Sequence, residues 1–197
     1  MQRRVLAGIF VGGSSTRMGG TPKGLLRLPN DESIVDRWLR LLGELGIEGV
    51  LVGSRAEYAP RAMLADDVEG AGPLGGLLSL LRRALLRTEN EREAGPAWVL
   101  AVACDMPHVS SALVARLANA PYAVAIAPRR DGRREPMFAR YDARHALATA
   151  EARAARGELS MQGLLEELEA TELSLSSIEA NELDDWDTLE DVQRRPV

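Results

Sequence analysis

The chain has 197 residues, 46% of them apolar and 27% charged, which is the balance of a soluble globular protein with enough core for one domain, here residues 1–197. A formal net charge of -5 argues against bulk nucleic-acid binding, which needs a basic footprint, but leaves room for a small basic pocket around a single nucleotide. A lone cysteine, Cys104, excludes an intramolecular disulfide, one thiol with two histidines excludes a usual structural zinc site, and no apolar run reaches the length of a membrane span, so the cytoplasm is the expected setting.

The first predicted element is an apolar run over residues 5–11, read as a buried strand and not as a signal peptide because it ends in glycines without a small-residue cleavage signal. It leads into Gly12 and Gly13, then Ser14, Ser15, Thr16, Arg17 and Met18, a second pair Gly19 and Gly20, and finally Lys23. Glycines let backbone N–H groups approach an anion, hydroxyls add donors, and Arg17 and Lys23 bring charge that does not titrate near neutrality. This is a strand ending in a phosphate-touching loop. It is neither a P-loop, because Thr21 and Pro22 separate the second glycine pair from Lys23, nor a dinucleotide fingerprint, because the glycines are adjacent.

Helical spacing of Trp38, Leu41, Leu42 and Leu45 predicts a helix over 34–45 with Gly46 as its stop, followed by a strand over 50–52 and a short one over 62–65. Gly72-Pro73-Leu74 opens a second helix whose buried stripe is Leu77, Leu78, Leu81 and Leu85, and the polar stretch 88–95 reads as a solvated connection. The nearly unbroken apolar run 98–103 has the character of a central parallel strand buried on both faces. Then come a helix over 110–117, a strand over 123–127, a type I′ turn at Asp131-Gly132, a return strand over 137–141, helices over 143–155 and 161–168, a strand over 173–175, and a final helix over 188–194 capped by Thr188 or Asp187.

Strands alternating with helices mean an α/β fold with a mostly parallel sheet, in which ligands sit beyond the carboxyl ends of the strands. The glycine loop lies at one such end and Cys104-Asp105-Met106-Pro107 at another, where Pro107 stops the strand. Asp105 is therefore placed to hold a magnesium ion, which binds one or two carboxylates together with phosphate oxygens. His108 reads as a surface residue at a loop-to-helix junction and Cys104 as a small buried one. The arginines at 129, 130, 133 and 134 read first as a solvated hairpin tip, and second as a landing site for an anionic group or a partner protein.

Together these segments resemble the MobA-like nucleotidyltransferases, and within them the molybdenum cofactor guanylyltransferases. The matches are VGGSSTRMGG with Lys23-Gly24-Leu25-Leu26, Gly72-Pro73-Leu74-Gly75-Gly76, Cys104-Asp105-Met106-Pro107 and Asp187-Thr188-Leu189-Glu190-Asp191, in the family's order. The resemblance implies a three-layer Rossmann-like sandwich of the nucleotide-diphospho-sugar transferase type. It implies magnesium-dependent transfer of GMP from GTP to the phosphate of molybdenum cofactor (molybdopterin), with molybdoenzymes or cofactor-delivery proteins as partners and no role for nucleic acid or a membrane. By the same resemblance Phe10, Val11, Gly12, Gly13 and Ser14 hold the nucleotide, Arg17 and Lys23 meet the phosphates, Asp105 binds the metal, and Asp67, or Asp66 beside it, touches the nucleotide. Three positions depart from the family pattern. Pro22 stands before Lys23 where an aspartate is usual, Gly53 takes the place of a nucleotide-contacting asparagine, and Asp185-Trp186-Asp187-Thr188-Leu189 replaces Asn-x-Asn-Thr-Pro. A relative using CTP or a sugar-phosphate acceptor, or a GTP-binding module without turnover, are the alternatives.

Overall fold

A computed structural model describes residues 5–12, 22–68, 70–90 and 97–186. Its centre is a seven-stranded sheet built from β1 (Val5–Phe10), β2 (Glu48–Val52), β3 (Met63–Leu64), β4 (Trp98–Ala103), β5 (Ala125–Ala127), β8 (Phe138–Asp142) and β9 (Thr171–Glu172), with β6 (Arg129–Arg130) and β7 (Arg133–Arg134) forming a separate ribbon. The spatial order is β3-β2-β1-β4-β8-β5-β9. Strand β8 alone runs against the other six, pairing antiparallel with β4 on one side and with β5 on the other. The sheet is thus mostly parallel, and its central strand has one antiparallel neighbour.

Helices α1 (Ile34–Glu44) and α3 (Ser111–Asn119) cover one face, and α2 (Pro73–Asn90), α4 (Ala143–Ala155) and α5 (Met161–Glu167) the other. Alternation along β1 feeds both layers. Ala7 and Ile9 pack with Trp38, Leu42 and Val114, whereas Leu6 and Phe10 pack with Leu77, Leu81 and Ala101. A short helix, α6 (Ser177–Glu182), is the last helix of the described chain, which continues to Trp186. No helix among the described residues is long and apolar enough to cross a membrane.

Local chemistry accounts for most boundaries. The Ser33 hydroxyl accepts the Asp36 N–H to start α1, and Gly46, at φ +68°, ends that turn in the left-handed region. Asp142 caps α4 by accepting from the amides of Arg144 and His145. Asp131 and Gly132 both have positive φ, the type I′ pattern expected at the tip of the arginine hairpin.

Three expectations need correction, and a fourth falls outside the described residues. Helix α2 continues through Asn90, because no glycine or proline between Thr88 and Asn90 stops it, and residues 91–96 of the expected connection lie outside the described residues. The last strand is Thr171–Glu172 and not 173–175, since Leu173 and Leu175 pack onto the α1/α3 core. Helix α6 is absent from the expected elements, although Ser176 and Glu179 form a capping box that is legible as Ser-x-x-Glu. The expected helix over 188–194 lies outside the described residues.

Candidate active site

The carboxyl ends of β1, β2 and β4 open into a cleft of about 470 Å³. Its apolar lining includes Phe10, Val52 and Met137, and its ionisable lining among the described residues is Lys23, Asp66, Cys104 and Asp105. The strand ends are stitched together where the ladder stops. The Val11 amide donates to Val52 O at 3.0 Å and the Cys104 amide to Phe10 O at 3.2 Å. Gly12 then borders the cleft, and a Cβ on it would meet nothing within 4 Å, so its backbone faces open space. Gly53 lines the cleft beside it, where a Cβ would lie 3.5 Å from Gly12 N; its φ of +116° is a conformation closed in practice to an asparagine, and its amide donates to Leu64 O. Gly53 therefore offers the cleft bare backbone and no side chain.

Lys23 opens a single 3-10 turn, Lys23–Leu25, entered through Pro22. Its Nζ lies 2.9 Å from Asp105 Oδ2, and the two side chains are 24% and 18% exposed. Residues 82 positions apart in the chain thus share one cleft. Gly24 makes this approach possible, since a Cβ there would stand 2.6 Å from Val35 Cγ1 and 3.3 Å from Cys104 Cβ. Burial and the Asp105 charge push the Cys104 thiol up to about 12, so it stays protonated and inert.

Gly76 plays a matching part on the far wall. A Cβ there would lie 2.6 Å from Val52 Cγ1 and 3.0 Å from the Phe10 ring, so the glycine lets the first turn of α2 close onto the sheet. That contact gives the Gly-Pro-Leu-Gly-Gly segment its physical meaning. A glycine inside a helical pattern costs stability unless something packs against it, and that signal is present in the sequence.

Of the two neighbouring aspartates, Asp67 is not among the described residues that line the cleft. Its carboxylate turns outward to Arg82 at 3.0 Å, and its amide donates to Ser79 Oγ at 2.7 Å. Asp66 lines the cleft instead, with partial desolvation and the adjacent Asp67 raising its carboxyl above the usual aspartate value. His108 stands outside the cleft lining, edge-on to Trp186 at 5.9 Å between centroids. The arginine hairpin is only partly a solvated tip. Arg129 is exposed, but Arg130 donates to Leu183 O at 2.6 Å and to Asp184 Oδ1 at 2.8 Å. Gly13, Ser14 and Arg17 lie outside the described residues. Among the described residues no group of three or more His, Cys, Asp or Glu side chains could hold a metal by itself. One half-buried carboxylate, Asp105, does fit a hard cation that also takes phosphate oxygens from a bound nucleotide.

Comparison with known proteins bears on this geometry. Residues 7–171 match the family described as MobA-like NTP transferase domain. The chain is 38% identical over 163 residues to a probable molybdenum cofactor guanylyltransferase of Opitutus terrae, covering 80% of this chain and 76% of the relative. It is 39% identical over 147 residues to a molybdenum cofactor guanylyltransferase of Mesorhizobium japonicum, covering 70% and 67% respectively. Among solved structures, molybdopterin-guanine dinucleotide biosynthesis protein A of Archaeoglobus fulgidus superposes with a TM-score of 0.73 at 20% identity, over 96% of this chain and 95% of that one. The 2-C-methyl-D-erythritol 4-phosphate cytidylyltransferase of Thermus thermophilus superposes at 0.60 and 16% identity, over 98% and 96%. The structural likenesses establish the fold, a three-layer Rossmann-like sandwich shared by nucleotidyltransferases. The match across most of the sequence, with the cleft at the expected strand ends, makes the chain a member of the MobA-like nucleotidyltransferase family.

Proposed function

We propose that this chain transfers GMP from GTP to the phosphate of molybdopterin, releasing pyrophosphate and forming the guanine dinucleotide cofactor. The observation that carries the proposal is the pairing of Lys23 with Asp105, 2.9 Å apart, in a cleft at the carboxyl ends of β1 and β4. The guanylyltransferase names of the relatives supply the substrate class. The reaction is an in-line displacement. A phosphate oxygen of the acceptor bonds to the α-phosphorus of GTP, the bond from that phosphorus to the bridging oxygen breaks, and pyrophosphate leaves with the electron pair. Such a transfer needs positioning and charge neutralisation more than an enzyme nucleophile, which agrees with the buried, protonated Cys104.

In this reading backbone from Phe10 to Gly13, with Ser14 and Gly53, surrounds the nucleotide, and Asp66 touches it from the α2 side. Lys23 exchanges its carboxylate partner for phosphate oxygens, and Arg17 is the second cation on the polyphosphate. Asp105 is the residue that would hold magnesium; when bound, the ion supplies charge neutralisation along the phosphates. The cytoplasm, where GTP is abundant, would be the setting, and one domain would serve both substrates. Molybdoenzymes or cofactor-delivery proteins would receive the product.

The test is a thermal-shift screen of GTP, CTP, ATP and UTP with magnesium. At a hundredfold excess over its Kd, GTP should add about 2.7 kcal/mol, a rise of roughly 5–10 °C for a chain of this size. Pyrophosphate release with GTP and molybdopterin should vanish in Lys23→Met and Asp105→Ala. A clear preference for CTP would overturn the guanylyl assignment, and full turnover by Asp105→Ala would remove the metal role.

A further inference from the structure

Asp105 sits just beyond β4, in a loop that reaches α3 through Pro107 and Ser110, and the ties on that loop come from distant parts of the chain. The Asp105 carbonyl accepts the Trp186 amide at 2.8 Å. The Ser110 amide donates to Glu182 Oε2 at 2.8 Å. Residues 182–186 therefore run alongside the loop and hold it at both ends. Leu183 and Trp186 are almost fully buried, packed into the α1/α3 core. The Trp186 ring meets His108 edge-on, three residues beyond Asp105. From the other side, the half-buried Arg130 fastens the same segment through Leu183 O and Asp184. Neither Trp186 nor Arg130 is among the residues lining the cleft.

We propose that residues 182–186 form a strap that positions the Asp105 carboxylate, with Trp186 as a positioning residue and Arg130 as the clip that holds the strap down. The inference rests on the reading of Asp105 as the metal-holding residue. Its physical basis is that one short side chain can aim reproducibly only if its own backbone is fixed, and changing a group that supports a metal ligand typically costs about 10–100-fold in metal affinity. The ladder ends at Ala103, so the sheet does not provide that fixation for the Asp105 carbonyl. The buried indole does, by anchoring the amide that donates to it.

The test measures Mn2+ binding by electron paramagnetic resonance in the presence of a non-reacting α,β-methylene analogue of GTP, alongside steady-state kinetics and melting temperature. Arg130→Met, which cuts the clip at a half-buried site and keeps the core intact, should weaken Mn2+ binding by about tenfold, at the low end for supporting groups of a metal ligand. Its kcat should fall to a similar degree while KM for GTP stays within about twofold, because the nucleotide walls are untouched. Trp186→Ala should weaken Mn2+ binding further and Trp186→Phe should restore most of it. Arg116→Met severs the ties of Arg116 to Glu179 and Ser174 O, on the same C-terminal segment but away from residues 182–186, and should leave Mn2+ affinity and kcat unchanged.

Equal Mn2+ affinity in wild type and Arg130→Met overturns the strap. So does a loss in Arg116→Met as large as that in Arg130→Met, which would indicate general loosening. A rise confined to the acceptor's KM in Arg130→Met would assign that arginine to the acceptor and overturn its role as a clip. Failure of the wild-type protein to bind Mn2+ with the nucleotide would overturn the metal reading of Asp105 and the strap together, a result distinct from equal binding by wild type and variant.

Discussion

Replacing Gly24 by alanine tests whether the geometry of the cleft depends on close backbone approach. The added Cβ would lie 2.6 Å from Val35 Cγ1, 3.0 Å from the Tyr58 hydroxyl and 3.3 Å from Cys104 Cβ. Val35 and Tyr58 are fully buried and Cys104 nearly so, so none can swing into solvent to make room. The first of these contacts falls short of ordinary van der Waals distance by about 1 Å, and the turn Lys23–Leu25 must move outward by a comparable amount. Overpacking of this kind costs about 1–3 kcal/mol, which corresponds to a melting temperature lower by roughly 2–12 °C. The larger effect falls on function. Lys23 is carried by the displaced turn, and a misplacement near 1 Å can cost about a hundredfold in rate. Pyrophosphate release should therefore drop about a hundredfold in Gly24→Ala, and the thermal shift with GTP should shrink. An alanine variant that melts within about a degree of wild type and turns over at full rate would mean that the turn accommodates a methyl group without moving Lys23, and that close approach at Gly24 does not shape the cleft.

Asp66→Asn should abolish most of the GTP-induced thermal shift, whereas Asp67→Asn, which removes only an exposed pair with Arg82, should leave it within about a degree. The reverse ranking would restore Asp67 to the site. Arg140 is fully buried in β8, lies 4.2 Å from the Trp98 ring centroid, and donates to the carbonyls of Leu117, Ala118, Ala120 and Pro121 at the end of α3. Arg140→Met should cost about 3–5 kcal/mol in urea denaturation, and Arg140→Lys should recover little because an ammonium cannot reproduce the fork; a methionine variant as stable as wild type would mean that desolvation of the guanidinium offsets all of these contacts. The Arg61 guanidinium and the Ser33 hydroxyl hold the Asp36 carboxyl below its usual value. A lowered folded value means stability that is present above the unfolded aspartate range and is lost as pH falls through the folded one. Asp36→Asn should accordingly melt below wild type at pH 6, with the gap closing below pH 4; a constant gap across that range would disprove the linkage.

The elements whose causes are local were legible in the amino-acid order. Helix α4 spans residues 143–155 as expected, because Asp142 caps it and the alanine-rich run has no competitor. The Asp131-Gly132 turn and the apolar run of β4 follow from dihedral preference and from burial on both faces. The family resemblance likewise lives in short segments at strand ends, where backbone must approach a ligand. Helix α6 is equally local in its cause, but its Ser176–Glu179 box is easily missed because a six-residue helix carries almost no periodicity.

Local order along the chain thus fixes most of the strands and helices, the α/β alternation and the segments able to meet a polyphosphate. Which of these segments meet is settled by packing across the whole fold. Periodicity reports that a strand is buried, but it does not report its neighbours, so the insertion of antiparallel β8 beside β4 had no local signal. Asp66 and Asp67 are indistinguishable as letters, and the two part only because Arg82 draws Asp67 outward while Gly76 lets α2 close near Asp66. The meeting of Lys23 with Asp105, and of Asp105 with Trp186, joins positions about eighty residues apart. Such contacts arise when packing of the sheet and its two helical layers outweighs the entropy of closing long loops, a balance set by the whole chain and by no segment of it.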